Sequence, residues 1–397
     1  MQKRHIFSIL LFCGLMCGLR APVAGQVFHD ESFKSRAMQG LEATYDFRFD
    51  EAERLFRALK RDYMRHPGPH FLLAVNRWWQ SYISTGTHYH AYIAAQLDTV
   101  LLLNQSLAGN RDYAVEYTFF QYMAYAFQAR LYILRQEWFS AANAGRKALP
   151  YLQPGLAYAD QSPEFYYSAG IYHYYAETYP AKHAYIRPFM MFFPDANATK
   201  GLAEMELAAR TPNFTQVEAM YYLGDIYLEE EQDYTRALAI HQQLYQRYPG
   251  NTWFRRNYGR ALVYAGKPAE AIAVLSGMVQ RYEALAGHRT KVVTSRHSTY
   301  TTFVMQQVYH YLGRAYLSQH NLAAAEQAFK QSLQCAALGT RPDDTYRAQS
   351  WYYLGRVYDR LGQRTAARDA YAHALVVENN EDIASDARYC LQKPCSY

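Results

Sequence analysis

Cysteine is scarce in this chain of 397 residues: five occur, and three of them lie beyond residue 25. Three cysteines are too few for the disulfide framework that holds together many small extracellular domains. Glycine and proline are also few, with 21 and 14 residues, which argues against an all-β protein with many turns. A large charge of one sign is lacking too, because 41 basic residues stand against 35 acidic ones. This small excess gives no reason to expect a nucleic-acid partner.

Apolar residues, in contrast, make up half of the chain, which is enough for a large buried core and excludes wholesale disorder. The length allows two or three average domains or one long array of repeats. Tyrosine, with 39 residues, outnumbers phenylalanine almost two to one. Many core positions are therefore expected to carry a hydroxyl group that needs a hydrogen-bond partner.

The first 25 residues have the three-part layout of a secretory signal peptide. Lys3 and Arg4 form a basic start, residues 6–19 are apolar, and small residues at 23–25 precede Gln26. Fourteen helical residues span about 21 Å, short of the roughly 30 Å hydrocarbon core, so cleavage after Gly25 is favoured over an uncleaved anchor. We therefore expect a periplasmic or secreted protein. Cys13 and Cys17 lack the preceding small residue that lipidation requires.

Removal of this segment leaves 38 basic residues, because Lys3, Arg4 and Arg20 are lost, against the same 35 acidic ones. Three cysteines remain. Cys390 and Cys395 are close enough to form a bridge in an oxidising compartment, although two unpaired thiols are an equal alternative. Cys335 is expected to be a small core residue.

The most informative pattern is an internal repeat. The segments 351–358, 309–316 and 220–227 read WYYLGRVY, YHYLGRAY and MYYLGDIY, and each is followed by spaced alanine and aromatic residues. These segments resemble the tetratricopeptide repeat, whose units are two antiparallel helices with Gly and Ala at the closest approach. The resemblance implies an all-α solenoid, and the apolar spacing of three and four residues agrees with amphipathic helices.

Weaker copies fill the rest of the chain, with units starting near residues 33, 68, 122, 163, 217, 252, 306 and 348. We therefore predict about eight helix pairs and a closing helix from Ile383 to Gln392. The predicted organisation is a signal peptide at 1–25, degenerate pairs at 26–215, and clearer repeats with the cap at 216–397. Longer intervals place an inserted loop at 176–197, which we expect to tuck against the array, and longer helices around 287–302.

No motif for catalysis, for metal binding or for a cofactor was found, so we expect a non-catalytic protein without cofactors. The chain has no His-Glu-x-x-His, no paired Cys-x-x-Cys, no Gly-x-Ser-x-Gly and no phosphate-binding glycine loop. The carboxylate run Glu229-Glu230-Glu231 is interpreted as a solvated turn at a helix end.

The resemblance further implies that the first helix of each unit lines a concave groove, and that its ninth residue points into it. That position holds arginine in four units, which predicts a basic, aromatic lining suited to an acidic or C-terminal peptide segment. The Lys and Asn pattern of the carboxylate-clamp subclass is absent, so its specificity is not carried over. Glu218, Asp225 and Asp359 are expected to neutralise part of this charge, and the arginines could instead be solvated or paired with neighbours. The predicted groove residues are Arg130, Arg256, Arg260, Tyr264, His310, Arg314, Tyr352, Arg356 and Arg360.

The leading hypothesis is an exported scaffold that binds a protein or peptide partner in this groove, with the oligomeric state open. The first alternative is a glycan or small-ligand binder that uses exposed tryptophans, for which Trp78, Trp79, Trp138 and Trp253 are the candidates. The second alternative is an enzyme in which the loop at 176–197 covers a pocket.

Overall fold

The structure is a computed structural model that describes residues 26–83, 87–159, 162–182, 187, 193–287, 299–339, 343–377 and 381–395. The predicted signal peptide lies outside the described residues. So do most of the predicted insertion beyond Lys182 and most of the basic segment between Gly287 and Thr302.

Within those residues the chain is helical, with seventeen α-helices in chain order and two short 3₁₀ turns at Gln105–Leu107 and Arg111–Tyr113. The helices are α1 Glu31–Tyr45, α2 Phe49–Asp62, α3 Gly68–Tyr82, α4 His90–Asn104, α5 Ala114–Leu134, α6 Trp138–Tyr158, α7 Glu164–Lys182, α8 Ala198–Arg210, α9 Gln216–Glu229, α10 Tyr234–Arg247, α11 Thr252–Tyr264, α12 Pro268–Gly287, α13 Thr302–Ser318, α14 Leu322–Leu338, α15 Asp344–Arg360, α16 Arg364–Val377 and α17 Glu381–Gln392. Odd and even helices pair in sequence, and α17 covers the last pair. The predictions of an all-α solenoid, of eight helix pairs and of a closing helix are confirmed.

Local sequence fixes the start of many helices and the turn inside the pairs. Asn251 and Asn321 accept hydrogen bonds from backbone N–H groups three residues on, at 2.8 and 3.2 Å, and so cap α11 and α14. Gly266 and Gly362 have positive φ angles in the turns of their pairs. Glycine enters this left-handed region without steric cost, and it lets the second helix fold back on the first.

Small residues lie where the two helices of a pair are closest, as predicted. A Cβ atom on Gly313 would lie 2.7 Å from the ring of Phe329, and one on Gly355 would lie 2.5 Å from the ring of Tyr371. Both distances are below any real carbon–carbon contact, so each glycine allows an aromatic ring of the partner helix to pack against the backbone.

One cluster of buried apolar side chains extends from Val27 to Cys335 and crosses position 215 without a break. The division of the array at that position stays a prediction. A smaller cluster joins α15 and α16 to the cap through Tyr352, Tyr371 and Ala387. A disulfide bond joins Cys390 and Cys395, and Cys335 is a buried free thiol.

The first helix pair closes onto the middle of the array. The Asn251 side-chain amide donates to the Tyr45 carbonyl at 2.6 Å, and the Gly250 N–H donates to Asp46 at 2.8 Å. The Tyr248 hydroxyl donates to Glu42 at 3.1 Å. These bonds join residues about 205 positions apart in the chain.

Helix α3 continues this closure across the concave face. Trp79 donates from Nε1 to the Glu218 carboxylate at 2.6 Å, and its ring lies 5.4 Å from that of Phe254. The hydroxyls of Tyr82 and Tyr222 are 3.1 Å apart. Since odd helices line the concave side, α1 and α3 fill the groove beside α9 and α11.

Among the helices of the described residues, none combines the length and the apolar content that a membrane span needs.

Candidate ligand-binding groove

Four successive odd helices place a polar side chain at the same point, directly after the glycine of the repeat. These residues are Asp225 on α9, Arg260 on α11, Arg314 on α13 and Arg356 on α15. Four residues further along, the same helices carry Glu229, Tyr264, Ser318 and Arg360. Residues four apart lie on one face of a helix, so each helix presents two of these side chains to the groove.

Arg260 is neutralised inside the protein. Its guanidinium group lies 3.4 Å from Asp225 and forms a second ion pair with Glu229, both on the preceding odd helix. Arg260 is 7% exposed. It therefore works as a link between helix pairs, and its charge is not offered to a partner.

Arg314 and Arg356 have tyrosines around them instead of acids. The Arg314 guanidinium carbon lies 4.6 Å from the ring centre of Tyr264 and 5.2 Å from that of Tyr353. Arg356 lies 5.8 Å from the centre of the same Tyr353 ring. Within the described part of the chain, no carboxylate lies within 4 Å of either guanidinium group. The Nε atom of Arg356 is buried without a hydrogen-bond partner there.

These two arginines and Arg360 line an open pocket of about 270 Å³ at the C-terminal end of the concave face. The Arg360 side chain also donates to the Leu317 carbonyl at 3.3 Å. No carboxylate belongs to the lining, so the pocket is basic with an apolar and aromatic wall. The lining residues are Val263, Arg314, Leu317, Ser318, His320, Tyr353, Arg356 and Arg360.

Two pKa shifts report this positive environment. Burial lowers the pKa of the Arg360 guanidinium, and the nearby charge of Arg356 lowers it further. Burial alone would raise the pKa of the Tyr264 hydroxyl, but Arg314 and Arg260 outweigh that effect, so the pKa is lowered. The Tyr264 shift has the direction that neighbouring positive charge produces.

Two predicted groove arginines lie inside the closed part of the array. Arg130 donates to the Tyr82 hydroxyl at 3.2 Å and to that of Tyr222, and it lies 4.6 Å from a Trp78 ring centre. Arg256 is 3% exposed and lies 3.9 Å from a Trp253 ring centre. Arg256 is therefore a core residue and Arg130 is a partly buried one, and both make cation–π contacts with tryptophan rings.

His310 and Tyr352 do not line the open pocket, and this part of the prediction is corrected. His310 is fully buried and shares a hydrogen bond of 3.0 Å between its Nδ1 and the Ser350 hydroxyl. Burial, with a smaller effect of Arg314, holds its pKa well below the usual range. Tyr352 is 8% exposed and packs toward Tyr371 beneath the cap.

The predicted neutralising acids have other roles. Glu218 is buried with Trp79, and Asp359 is buried with Arg364 beneath the cap; of the three, only Asp225 meets a groove arginine. The run 229–231 is also more than a solvated turn, because Glu230 pairs with Lys182 and Glu231 accepts from Tyr174. Contacts such as Glu218 with Trp79 and Glu230 with Lys182 join different helix pairs, so the spacing of residues within one repeat does not predict them.

The sequence reasoning missed Tyr353, Ser318 and the apolar wall of the pocket. Tyr353 directly precedes the Leu-Gly pair, and the repeat pattern predicts a core residue at that position. Ser318 could have been found by comparing it with Glu229 and Arg360 at the same offset from the repeat glycine.

Most of the tryptophans proposed for glycan stacking are buried. Trp78, Trp79 and Trp253 are 3%, 0% and 7% exposed, whereas Trp138 is 66% exposed. A sugar ring needs an open aromatic face, so three of the four candidates are unavailable for that contact.

Comparison with known proteins gives the following matches. Family models described as tetratricopeptide repeat match residues 228–284 and 304–375. No curated protein matches. Among solved structures, MamA (from residue 41 to the end) of Desulfovibrio magneticus RS-1 shares 16% identity over 51% of this chain and 94% of its own, with a TM-score of 0.33. The human IFIT1 dimer with PPP-AAAA shares 14% identity over 84% of this chain and 70% of its own, with a TM-score of 0.44.

The two family matches cover α10 to most of α12 and nearly all of α13 to α16, and these helices carry the glycine and aromatic contacts that define the pairs. The remaining pairs follow the same order and stack on the same continuous core. The two matched segments are therefore tetratricopeptide repeats, and the other helix pairs of the described residues have the same helical arrangement.

Proposed function

We propose that this protein is an exported, non-catalytic scaffold that holds an acidic segment of a partner protein in the open end of its concave groove. One observation carries the proposal. The groove is filled by α1 and α3 as far as α11, but beside α13 and α15 it remains open and is lined by Arg314, Arg356 and Arg360.

The repeat family supports a binding role, because stacked helix pairs create extended concave surfaces for partners. The open pocket offers guanidinium donors next to the Tyr353 ring, which suits a peptide that carries carboxylates on a partly apolar backbone. The burial of Trp78, Trp79 and Trp253 is the reason to favour a protein partner over a glycan.

Two features support export. The first is the signal-peptide pattern of the first 25 residues. The second is the disulfide between Cys390 and Cys395, since such bonds persist in oxidising compartments. The export part is tested by the intact mass of the protein from separated cell fractions. A chain that begins at Gln26 in the periplasm or the medium is expected. A full-length chain in the membrane fraction would instead indicate an uncleaved anchor.

The binding part is tested by a photo-crosslinking residue at position 318, which is exposed at the pocket. A matched control carries the same residue in place of Gln327, which is exposed on α14 away from the pocket lining. Crosslinks to one protein segment from position 318 only, located by mass spectrometry, are expected. Equal crosslinking from both positions, or none from position 318, would contradict a groove-bound partner.

A further inference from the structure

The repeat register shows how an arginine at this position obtains its counter-charge. Arg260 on α11 reaches back to the residues one and five positions after Gly224 on the preceding odd helix, and these are Asp225 and Glu229. Arg314 repeats this reach, because its guanidinium carbon lies 4.6 Å from the Tyr264 ring, and Tyr264 occupies the position of Glu229. Arg260 and Arg314 therefore reach back to the same position of the preceding odd helix, but that position holds Tyr264 for Arg314 instead of the acid Glu229.

For Arg356 the equivalent residues on α13 are Arg314 and Ser318. The chain thus places an arginine and a serine where Arg260 meets two carboxylates. The buried Nε atom of Arg356 lacks a partner among the described residues, and Ser318 lies exposed beside it in the pocket lining. Partly buried positive charge without a counter-charge is costly, and an incoming anion removes that cost.

We infer that the Arg314–Arg356–Arg360 pocket is an anion-binding site that takes a side-chain carboxylate of an acidic peptide beside Ser318, at the position equivalent to Glu229. This inference rests on the proposed function and names the group that the groove recognises. The pairing of Arg260 within the same protein favours a carboxylate as the bound anion. Arg260 forms ion pairs with one short and one long acidic side chain that are four residues apart. The apolar wall of Val263, Leu317 and Tyr353 suits the carbon stems of such side chains better than a bare inorganic anion.

The sharpest test adds the missing acid to the protein. In Ser318→Glu the new carboxylate stands where Glu229 stands relative to Arg260, so it should pair with Arg356 and occupy the site. Ser318→Gln has a similar size without the charge. Gln327→Glu adds the same charge on α14, outside the pocket lining. Both native residues are exposed, so all three variants are expected to fold.

Binding of a fluorescent hexaglutamate peptide to the purified mature chain is measured by anisotropy at low ionic strength. Wild type and Gln327→Glu should bind alike, Ser318→Gln should lose less affinity than Ser318→Glu, and added salt should weaken binding. Ser318→Glu should bind about tenfold more weakly or worse, as should Arg356→Gln. Equal binding by Ser318→Glu, or no binding by wild type, would overturn the inference. Binding of inorganic phosphate or a phosphopeptide without hexaglutamate binding would also overturn it, in favour of a phosphate site.

The two proposals fail in different ways. If hexaglutamate binds as described but position 318 crosslinks no partner, the anion site stands and the scaffold function fails. If a partner crosslinks at position 318 and Ser318→Glu leaves that partner bound, the scaffold stands and the carboxylate site fails.

Discussion

Gly170 and Gly201 face each other where α7 and α8 are closest, with the Gly170 carbonyl oxygen 2.8 Å from the point that a Cβ atom would occupy on Gly201. The same Cβ atom would lie 2.5 Å from the Tyr174 backbone nitrogen. Backbone atoms on the neighbouring helix cannot move aside as a flexible side chain can.

Gly201→Ala should therefore lower the free energy of unfolding, by about 1–3 kcal/mol. Gly145→Ala is the matched control, because it also lies inside a helix but has no atom within 4 Å of the added Cβ. That change should be neutral or stabilising by up to about 1 kcal/mol. Chemical denaturation of both variants measures the free energy of unfolding. Equal losses of this free energy in the two variants would contradict the close approach of α7 and α8.

Tryptophan substitutions test the closure of the groove. Trp79→Ala should cost about 3–5 kcal/mol, because it removes a fully buried ring and leaves the Glu218 carboxylate without its indole donor. Trp138 is 66% exposed, so Trp138→Ala should stay within about 0.5 kcal/mol of wild type. Thermal unfolding followed by circular dichroism measures both. A small effect at Trp79 would mean that α3 does not fill the concave face.

The Asp359 carboxylate is a buried junction between α15, α16 and the C-terminal tail. It lies 2.9 Å from Arg364 and accepts hydrogen bonds from the Tyr371 hydroxyl at 2.9 Å and the Cys395 N–H at 2.7 Å. Asp359→Asn should destabilise the protein by about 3 kcal/mol, since it leaves the Arg364 charge unpaired. Asp369→Asn on exposed α16 surface is the control and should be neutral. Urea denaturation measures the free energy of unfolding of both variants. A value for Asp359→Asn equal to that of Asp369→Asn would contradict the buried junction.

The disulfide between Cys390 and Cys395 closes a short loop, so its removal should cost about 2 kcal/mol. Cys395→Ser should lower the melting temperature of the oxidised protein to that of the reduced wild type, and reductant should then have no further effect. Cys335 does not complicate the measurement, because burial raises the pKa of its thiol to about 12 and keeps it protonated. Identical melting of oxidised and reduced wild type would contradict a stabilising bridge.

Stability should fall as the pH rises from about 4.5 to about 8 because of Glu164. Burial raises the pKa of this carboxyl to about 8, although the Phe214 N–H donates to it at 3.0 Å. In that range the unfolded chain has released the proton and the folded chain still holds it, so increasing pH favours unfolding. The effect is on the order of several kcal/mol, because each unit of pKa difference corresponds to about 1.4 kcal/mol.

Glu164→Gln should remove this part of the pH dependence and make the protein relatively more stable at pH 8. Glu283→Gln, at an exposed position on α12, should leave the slope unchanged. Denaturation curves at pH 5, 6.5 and 8 provide the test. A wild-type slope that survives in Glu164→Gln would assign it to another group.

The sequence alone determined the helix pairs, their number and the cap. It could do so because the two helices of a pair touch through residues about sixteen positions apart, as Gly313 and Phe329 do, and the spacing of small and aromatic residues records that contact directly. It also predicted Arg314, Arg356 and Arg360 as groove residues from their offset to the repeat glycine, and all three line one pocket in the structure.

Only the tertiary structure decided which of the groove arginines are open to a ligand. Asn251 meets Tyr45 and Glu218 meets Trp79 across 206 and 139 residues, and no local pattern encodes contacts of that range. Those contacts accompany the burial of Arg256 and hold Arg130 against Tyr82 and Trp78. Whether an arginine keeps its charge available depends on the side chain of the preceding repeat, which is acidic for Arg260 and uncharged tyrosine or serine for Arg314 and Arg356.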